Sequence, residues 1–153
     1  MSRAKEYDEL NISQIPALEV LRVIGYASIT PEKAEAMRGN LYNVILKDVL
    51  HERLKAINSY EYKGLEYKFS EKNIQQAMQD IDEALTDGLI KTNEKIYDAL
   101  ILGRSYPEKV SDVDGTRSFD INFIDWDYPE NNVFHVVEEF AVEKQDGQGT
   151  VRP

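Results

Sequence analysis

The sequence contains no cysteine. This excludes a disulfide-stapled scaffold, thiolate catalysis and cysteine-ligated zinc, and it suits a reducing cytoplasm. Long apolar runs are missing as well. No stretch approaches the roughly 18 uninterrupted apolar residues of a membrane-spanning helix, and the opening Met1–Glu9 leads into no apolar secretion core. Positive charge is scarce: 18 Lys and Arg stand against 28 Asp and Glu, a formal net charge of −10. Such a chain does not coat nucleic acid unaided. There are two histidines, His51 and His135. Neither has a metal-ligating neighbour at helix or strand spacing, so both read as surface or hydrogen-bonded groups.

What is present suffices for a folded domain. At 153 residues and 42% hydrophobic content the chain can build a core, and one compact unit is the simplest expectation. Pro and Gly sit singly at turn positions, and there is no internal repeat or low-complexity tract. The acidic excess lies mostly after Tyr106, where the periodicity also changes. The expected fold class is therefore α/β, with a helical subdomain over 1–105 and a strand-rich part over 106–153.

In the helical part, Ile15, Leu18, Leu21 and Ile24 recur at three-residue spacing and predict an amphipathic helix stopped by Gly25. Thr30 followed by Pro31 predicts an N-cap and a short helix to about Met37, interrupted at Gly39-Asn40. Leu41, Val44, Ile45, Val49, Leu54 and Ile57 predict a longer helix over about 41–57. Aromatic and charged residues alternate around Gly64 between Tyr60 and Phe69, which predicts a small hairpin or extended loop. Ser70 caps a helix striped by Ile74, Ala77, Met78, Ile81 and Leu85 and broken at Thr86-Asp-Gly88. Ile96, Tyr97, Leu100 and Ile101 stripe a last helix ended by Gly103.

In the strand part, Asp114-Gly115 is a tight turn. Phe119, Ile121 and Phe123 then alternate with polar residues as a half-buried strand. Trp126 to Asn132 is a turn whose Asn and Asp side chains bond their own backbone. Val133 to Glu143 predicts the strongest strand, with Phe134, Val136, Glu138, Phe140 and Val142 on one face. Asp146-Gly147 predicts a second hairpin turn, and Thr150-Val-Arg-Pro153 resembles the opening of another strand.

At this point the sequence resembles the N-terminal region of the R (motor and nuclease) subunit of type I restriction enzymes. Four stretches carry the resemblance: Pro16-Ala-Leu-Glu-Val-Leu-Arg-Val-Ile-Gly-Tyr26, Met37-Arg-Gly-Asn-Leu-Tyr-Asn-Val-Ile-Leu-Lys-Asp48, Thr92-Asn-Glu-Lys-Ile-Tyr97 and Phe123-Ile-Asp-Trp-Asp-Tyr-Pro-Glu-Asn-Asn-Val-Phe134. The last is the most specific. It leads into Glu138-Glu-Phe-Ala-Val-Glu143 and then Thr150-Val-Arg-Pro153. The resemblance implies that residues 106–153 begin a restriction-endonuclease-like core. In the family an Arg-Pro pair is followed by the metal-binding aspartate of a PD-(D/E)xK nuclease, with a Glu-x-Lys triplet one strand on. Those residues would fall beyond Pro153, so these residues are expected to be the leading, inactive part of a longer chain.

For the parent subunit the resemblance implies ATP- and Mg²⁺-dependent endonucleolytic cleavage of foreign DNA in the cytoplasm. The implied partners are duplex DNA and the methyltransferase and specificity subunits, with no membrane. No Gly-x-x-x-x-Gly-Lys-Ser/Thr loop is present to cradle ATP, so both cofactors belong to the whole subunit. A strand left without its hairpin partner is expected to pair with another copy of the chain. The rival reading is a stand-alone helical interaction module without nuclease activity.

No residue here is a complete catalytic or metal site, and two glutamates are candidates for a place beside one. Glu138 puts a carboxylate on an apolar strand face, which is costly unless it is paired. It either lies near the metal of the complete nuclease or marks a bulge, an exposed edge or an ion pair, and the latter reading is preferred. Glu19 lies on the first helix three residues before Arg22, so a surface ion pair is preferred over a metal-assisting role. Glu130, Asn131 and Asn132 are read as turn chemistry. Tyr60, Tyr62, Tyr67 and Phe69 with Lys63 and Lys68 could stack on single-stranded nucleic acid, but interleaved Glu61, Glu66 and Glu71 cancel the field and hairpin packing is preferred.

Overall fold

The computed structural model describes residues 13–82, 88–138, 140–143 and 150–151. The elements in chain order are α1 (Ile15–Val23), β1 (Ala27–Ser28), α2 (Pro31–Arg38), α3 (Lys47–Ile57), β2 (Tyr60–Tyr62), β3 (Leu65–Tyr67), α4 (Glu71–Ile81), α5 (Leu89–Leu102), β4 (Arg104–Ser111), β5 (Gly115–Ile121), a 3-10 turn (Pro129–Asn131), β6 (His135–Val136), β7 (Val142–Glu143) and β8 (Thr150–Val151). The mixture of helix and strand bears out the α/β class. The chain divides into two compact units, one formed by 1–44 with 133–153 and the other by 45–132. Among the described residues no helix is long and apolar enough to cross a membrane.

The unit formed by 45–132 holds the main core. Leu54 of α3, Ile74 and Ala77 of α4, and Ala99 of α5 pack with Phe69, Tyr106, Ile121 and Phe123. The hairpin expected around Gly64 is β2–β3, with Lys63 and Gly64 both at positive φ in its turn. Its aromatic residues serve the core. Tyr60 stacks on Phe119 at 4.2 Å and on Tyr67 at 5.6 Å, and meets Phe69 edge-on at 5.2 Å. Lys63 is held by Asp114, and Lys68 by the carbonyls of Ala56 and Asn58. Ser70 caps α4 by accepting from the Asn73 N–H. The expected positions Leu85, Thr86 and Asp87 lie outside the described residues.

Three expectations for this unit need correction. The helix predicted over 41–57 starts only at Lys47. Asn40 Oδ1 accepts from the N–H groups of Tyr42 and Asn43, which bends the chain into a local turn instead of a helix. Strand β4 begins at Arg104, two residues before the strand-rich part expected over 106–153, and carries Pro107. Proline is tolerated there because, among the described residues, β5 is the single partner of β4, leaving an edge. The α5 stripe is split: Ile96 and Leu100 are partly covered, while Tyr97 and Ile101 are exposed. The residues that α5 buries are the small Thr92 and Ala99, which let it approach the core closely.

In the unit formed by 1–44 and 133–153, α1 buries only Leu18 of its predicted stripe, with Ile15 and Ile24 exposed. Thr30 and Pro31 act as predicted, as N-cap and first helical residue of α2, and Gly39, expected to interrupt the helix, is its left-handed C-cap. The continuous strand predicted over 133–143 is not formed. It is split into β6 and β7, with a bend at Glu138. The cause is the length of its partner: β6 pairs in parallel with the two-residue β1, and that pairing ends where Thr30-Pro31 turns into α2. Beyond the bend, the buried Arg38 donates to the Ala141 carbonyl at 2.8 Å and lies 4.0 Å over the Phe140 ring. The strand expected from Thr150 is present as β8, antiparallel to β7.

Candidate functional site

The parallel pair β1–β6 organises a small cleft. Ala27 N–H donates to the Phe134 carbonyl at 2.8 Å and Ile29 N–H to the Val136 carbonyl at 3.0 Å. The Tyr26 and Phe134 rings meet at 5.2 Å beside the pair. These contacts set β6 next to the loop that enters α2. The resulting cleft is lined by Leu18 and Arg22 of α1, by Ser28, Ile29, Thr30 and Pro31, and by Val136 and Glu138. Arg22 Nε donates to Ser28 Oγ at 2.7 Å, so the guanidinium is turned onto the β1 end. At about 170 Å³ the cleft is too small for a nucleotide, since ligand pockets usually run from roughly 300 Å³ upward.

Glu138 therefore stands at the rim of a cleft rather than within an apolar strand face. The bend exposes its carboxylate, which removes the burial cost expected for it. Glu19 is exposed on α1 and does not line the cleft. Its expected ion pair with Arg22 is replaced by the Arg22–Ser28 hydrogen bond. The structure thus does not bring the two glutamates together. Of the cleft residues, the sequence reading gave Arg22 and Thr30 only structural roles, as an ion-pair partner and an N-cap, and did not single out Ser28. Their only signal was position, on either side of Gly25 and at the start of α2.

The remaining candidates have local roles. His51 Nε2 lies 2.6 Å from Glu71 Oε1, and Lys55 lies 3.1 Å from Oε2. Together with the Gln75 amide, these partners hold the Glu71 carboxyl at about 2, well below its ordinary value. His135 is half-buried in β6. Asn131 and Asn132 close the turn on Asp125: Asn131 Nδ2 donates to the Asp125 carboxylate, and Asn132 exchanges bonds with the Asp125 backbone. The Asn131 amide and the Tyr128 N–H lower the Asp125 pKa. The turn reading is borne out.

These residues do not by themselves fit a divalent ion. Among the described residues Glu138 is the single carboxylate in the lining of the cleft, and Arg22 puts a cation in the same wall, whereas such ions take several oxygen ligands. No group of three or more His, Asp or Glu side chains is arranged, among the described residues, so that it could hold a metal ion.

A family model described as type I restriction enzyme R protein N terminus matches residues 6–153. No curated protein and no solved structure matches the chain.

Proposed function

Because the chain belongs to the family of type I restriction enzyme R protein N termini, we propose that it builds the lead-in to the nuclease centre of such a subunit. The whole subunit cleaves unmodified DNA with ATP and Mg²⁺, in the cytoplasm, alongside methyltransferase and specificity subunits. The observation that carries this reading is the match over 6–153, which spans both compact units.

The 153 residues alone do not cut DNA. Phosphodiester hydrolysis needs an ion held by several acids to offset phosphate charge and activate water. The family's metal-binding Asp, its Glu and its Lys would follow Pro153. Of the two candidate glutamates, Glu138 is the stronger candidate for a place beside such a centre, a reading supported by its position in the cleft lining, whereas Glu19 is exposed on α1 outside that lining.

The experiment is a supercoiled-plasmid assay with Mg²⁺. The intact subunit, with its methyltransferase and specificity partners and ATP, is expected to linearise unmodified plasmid. The 153-residue chain is expected to leave it supercoiled. Nicking by the short chain above a mock-purified control, or no cutting by the complete assembly, overturns the reading.

A further inference from the structure

Lys63 stands where a tight hairpin turn favours other residues. It takes the first turn position between β2 and β3 with φ +51°, and among the described residues it is the single non-glycine residue with positive φ. That position suits Gly, Asn or Asp, and a longer side chain there is strained. Such strain persists where the surroundings hold it, which points to a use for the side chain. The Lys63 ammonium lies 5.2 Å from the centre of the Tyr62 ring and 2.6 Å from Asp114 Oδ2, in the turn between β4 and β5. The lysine side chain is 64% exposed, and exposed ion pairs add little stability. Folding alone is therefore a poor reason for a lysine at this position.

Its partner is chemically vulnerable. Asp114 is followed by Gly115, so a carboxyl carbon and an unshielded backbone nitrogen are adjacent. Nothing lies within 4 Å of where a side chain on Gly115 would stand. When the Asp114 carboxyl is neutral, the Gly115 nitrogen can attack Cγ. The N–Cγ bond forms, the nitrogen gives up its proton, and the carboxyl hydroxyl leaves with a proton as water. The product is a cyclic succinimide. Water then opens either of its carbonyls, restoring aspartate or leaving isoaspartate, and no other reactant is needed. An ionised carboxylate resists the attack, because it has no hydroxyl to release as water. Here the carboxylate is pinned in that form. Lys63 Nζ donates to Oδ2 at 2.6 Å and Ser111 Oγ to the same oxygen at 3.0 Å, while the Asp114 N–H donates to Ser111 Oγ at 2.8 Å. Bonds led by that from Lys63 hold the carboxyl at about 2, below its ordinary 3.8.

We propose that Asp114-Gly115 is a modification site, open to succinimide formation and conversion to isoaspartate, which Lys63 and Ser111 keep closed. The lysine of one hairpin turn guards the turn of the next by holding Asp114 as its carboxylate. An isoaspartate there lengthens the backbone between Ser111 and Gly115, which face each other across the turn, and so displaces the start of β5. The inference is independent of the nuclease reading.

The test is ageing of the 153-residue chain in warm neutral buffer over several weeks. Isoaspartate is counted by an isoaspartate-specific methyltransferase with S-adenosylmethionine. It is then mapped by peptide mass spectrometry, because Asp87-Gly88 and Asp146-Gly147 are further pairs of the same type. Wild type should form little isoaspartate at position 114. Lys63→Met and Lys63→Gly should each raise the rate there by about tenfold, since a carboxyl whose pKa rises by one is neutral about ten times as often near pH 7. Glycine suits the positive φ, so Lys63→Gly should keep or raise the urea midpoint while losing the ammonium, which separates an opened site from a loosened fold. Lys63→Arg keeps a cation in place and should stay near wild type. Lys109→Met removes the lysine that pairs with Asp112 in the same hairpin, and it should also leave position 114 unchanged. Equal rates at position 114 in wild type and Lys63→Gly would overturn the proposal, as would a rise in Lys109→Met as large as that in Lys63→Met.

Discussion

Glu108 accepts hydrogen bonds from both the backbone N–H and the hydroxyl of Ser70, at 2.7 and 2.8 Å. The same Oε1 atom accepts a third bond from Asn73 Nδ2 at 2.8 Å. A carboxylate on β4 thereby closes the N-terminus of α4, where unpaired N–H groups and the helix dipole both favour negative charge. Ser70 in turn accepts from the Asn73 N–H, so cap and strand form one network.

Truncating Glu108 to Ala strips an acceptor from three donors in a largely buried place. Each donor left without a partner costs about 1–3 kcal/mol, so the variant is expected to lose roughly 3 kcal/mol of unfolding free energy. Glu108→Gln keeps an oxygen in position and should lose about a third as much. Urea denaturation followed by circular dichroism measures both; a Glu108→Ala midpoint equal to wild type would refute the role.

Much of this architecture was legible in the sequence where local chemistry decides it. Thr30-Pro31, Ser70, Gly64 and Asp114-Gly115 act through their own backbone and nearest neighbours, and each stands where it was expected. The misreadings arise where distant partners decide. The apolar alternation after Val133 predicts a strand, yet β6 can extend only as far as the two residues of β1 allow. Arg38 then engages Phe140 and Ala141 across 103 residues of sequence. Periodicity on α5 correctly marked apolar residues without saying that half of them face outward. The cleft was legible only through Glu138, because Arg22 and Ser28 carry no motif that sets them apart from surface residues.

Gly103 should tolerate no side chain. Its φ is +72°, and a Cβ there would come within 2.7 Å of the Ile121 carbonyl oxygen and of Asn122 Oδ1. The first is backbone and cannot swing aside. Gly103→Ala is expected to cost about 2–3 kcal/mol from strain and clash together. Gly39→Ala has a similar φ, +79°, but open space around the added atom, so it should cost only about 1 kcal/mol. Equal losses in thermal unfolding would show that the contact with β5 contributes nothing.

Acid should destabilise the unit formed by 45–132 through two surface carboxyls. Bonds from Gln75, His51 and Lys55 hold Glu71 at about 2 against an ordinary 4.5. Bonds led by Lys63 hold Asp114 at about 2 against an ordinary 3.8. Both carboxyls bind protons more weakly folded than unfolded, so each stabilises the fold above its ordinary value and loses that contribution as pH falls toward 2. The urea midpoint should therefore drop between about pH 4.5 and 2, less steeply in Glu71→Gln. Both groups are solvent-exposed, so added salt should shrink the drop. A pH profile identical in wild type and Glu71→Gln would count against the cluster.

The turn after β5 rests on Asn132 more than on any other side chain. Its Oδ1 accepts from the Asp125 N–H at 2.9 Å, while Nδ2 donates to the carbonyls of Asp125 at 2.8 Å and Pro129 at 3.1 Å. Asn132→Ala removes all three bonds and should cost about 1–2 kcal/mol, as half-exposed hydrogen bonds are each worth about 1 kcal/mol or less. Asn132→Asp keeps the acceptor but loses both donors and adds a negative charge beside Asp125, so it should be at least as damaging. Trp126, the single tryptophan of the chain, lies within this turn. Its fluorescence should therefore shift toward the solvent-exposed maximum in both variants before global unfolding begins. Retention of the wild-type spectrum in Asn132→Asp would mean that the Asp125 backbone is held by other contacts.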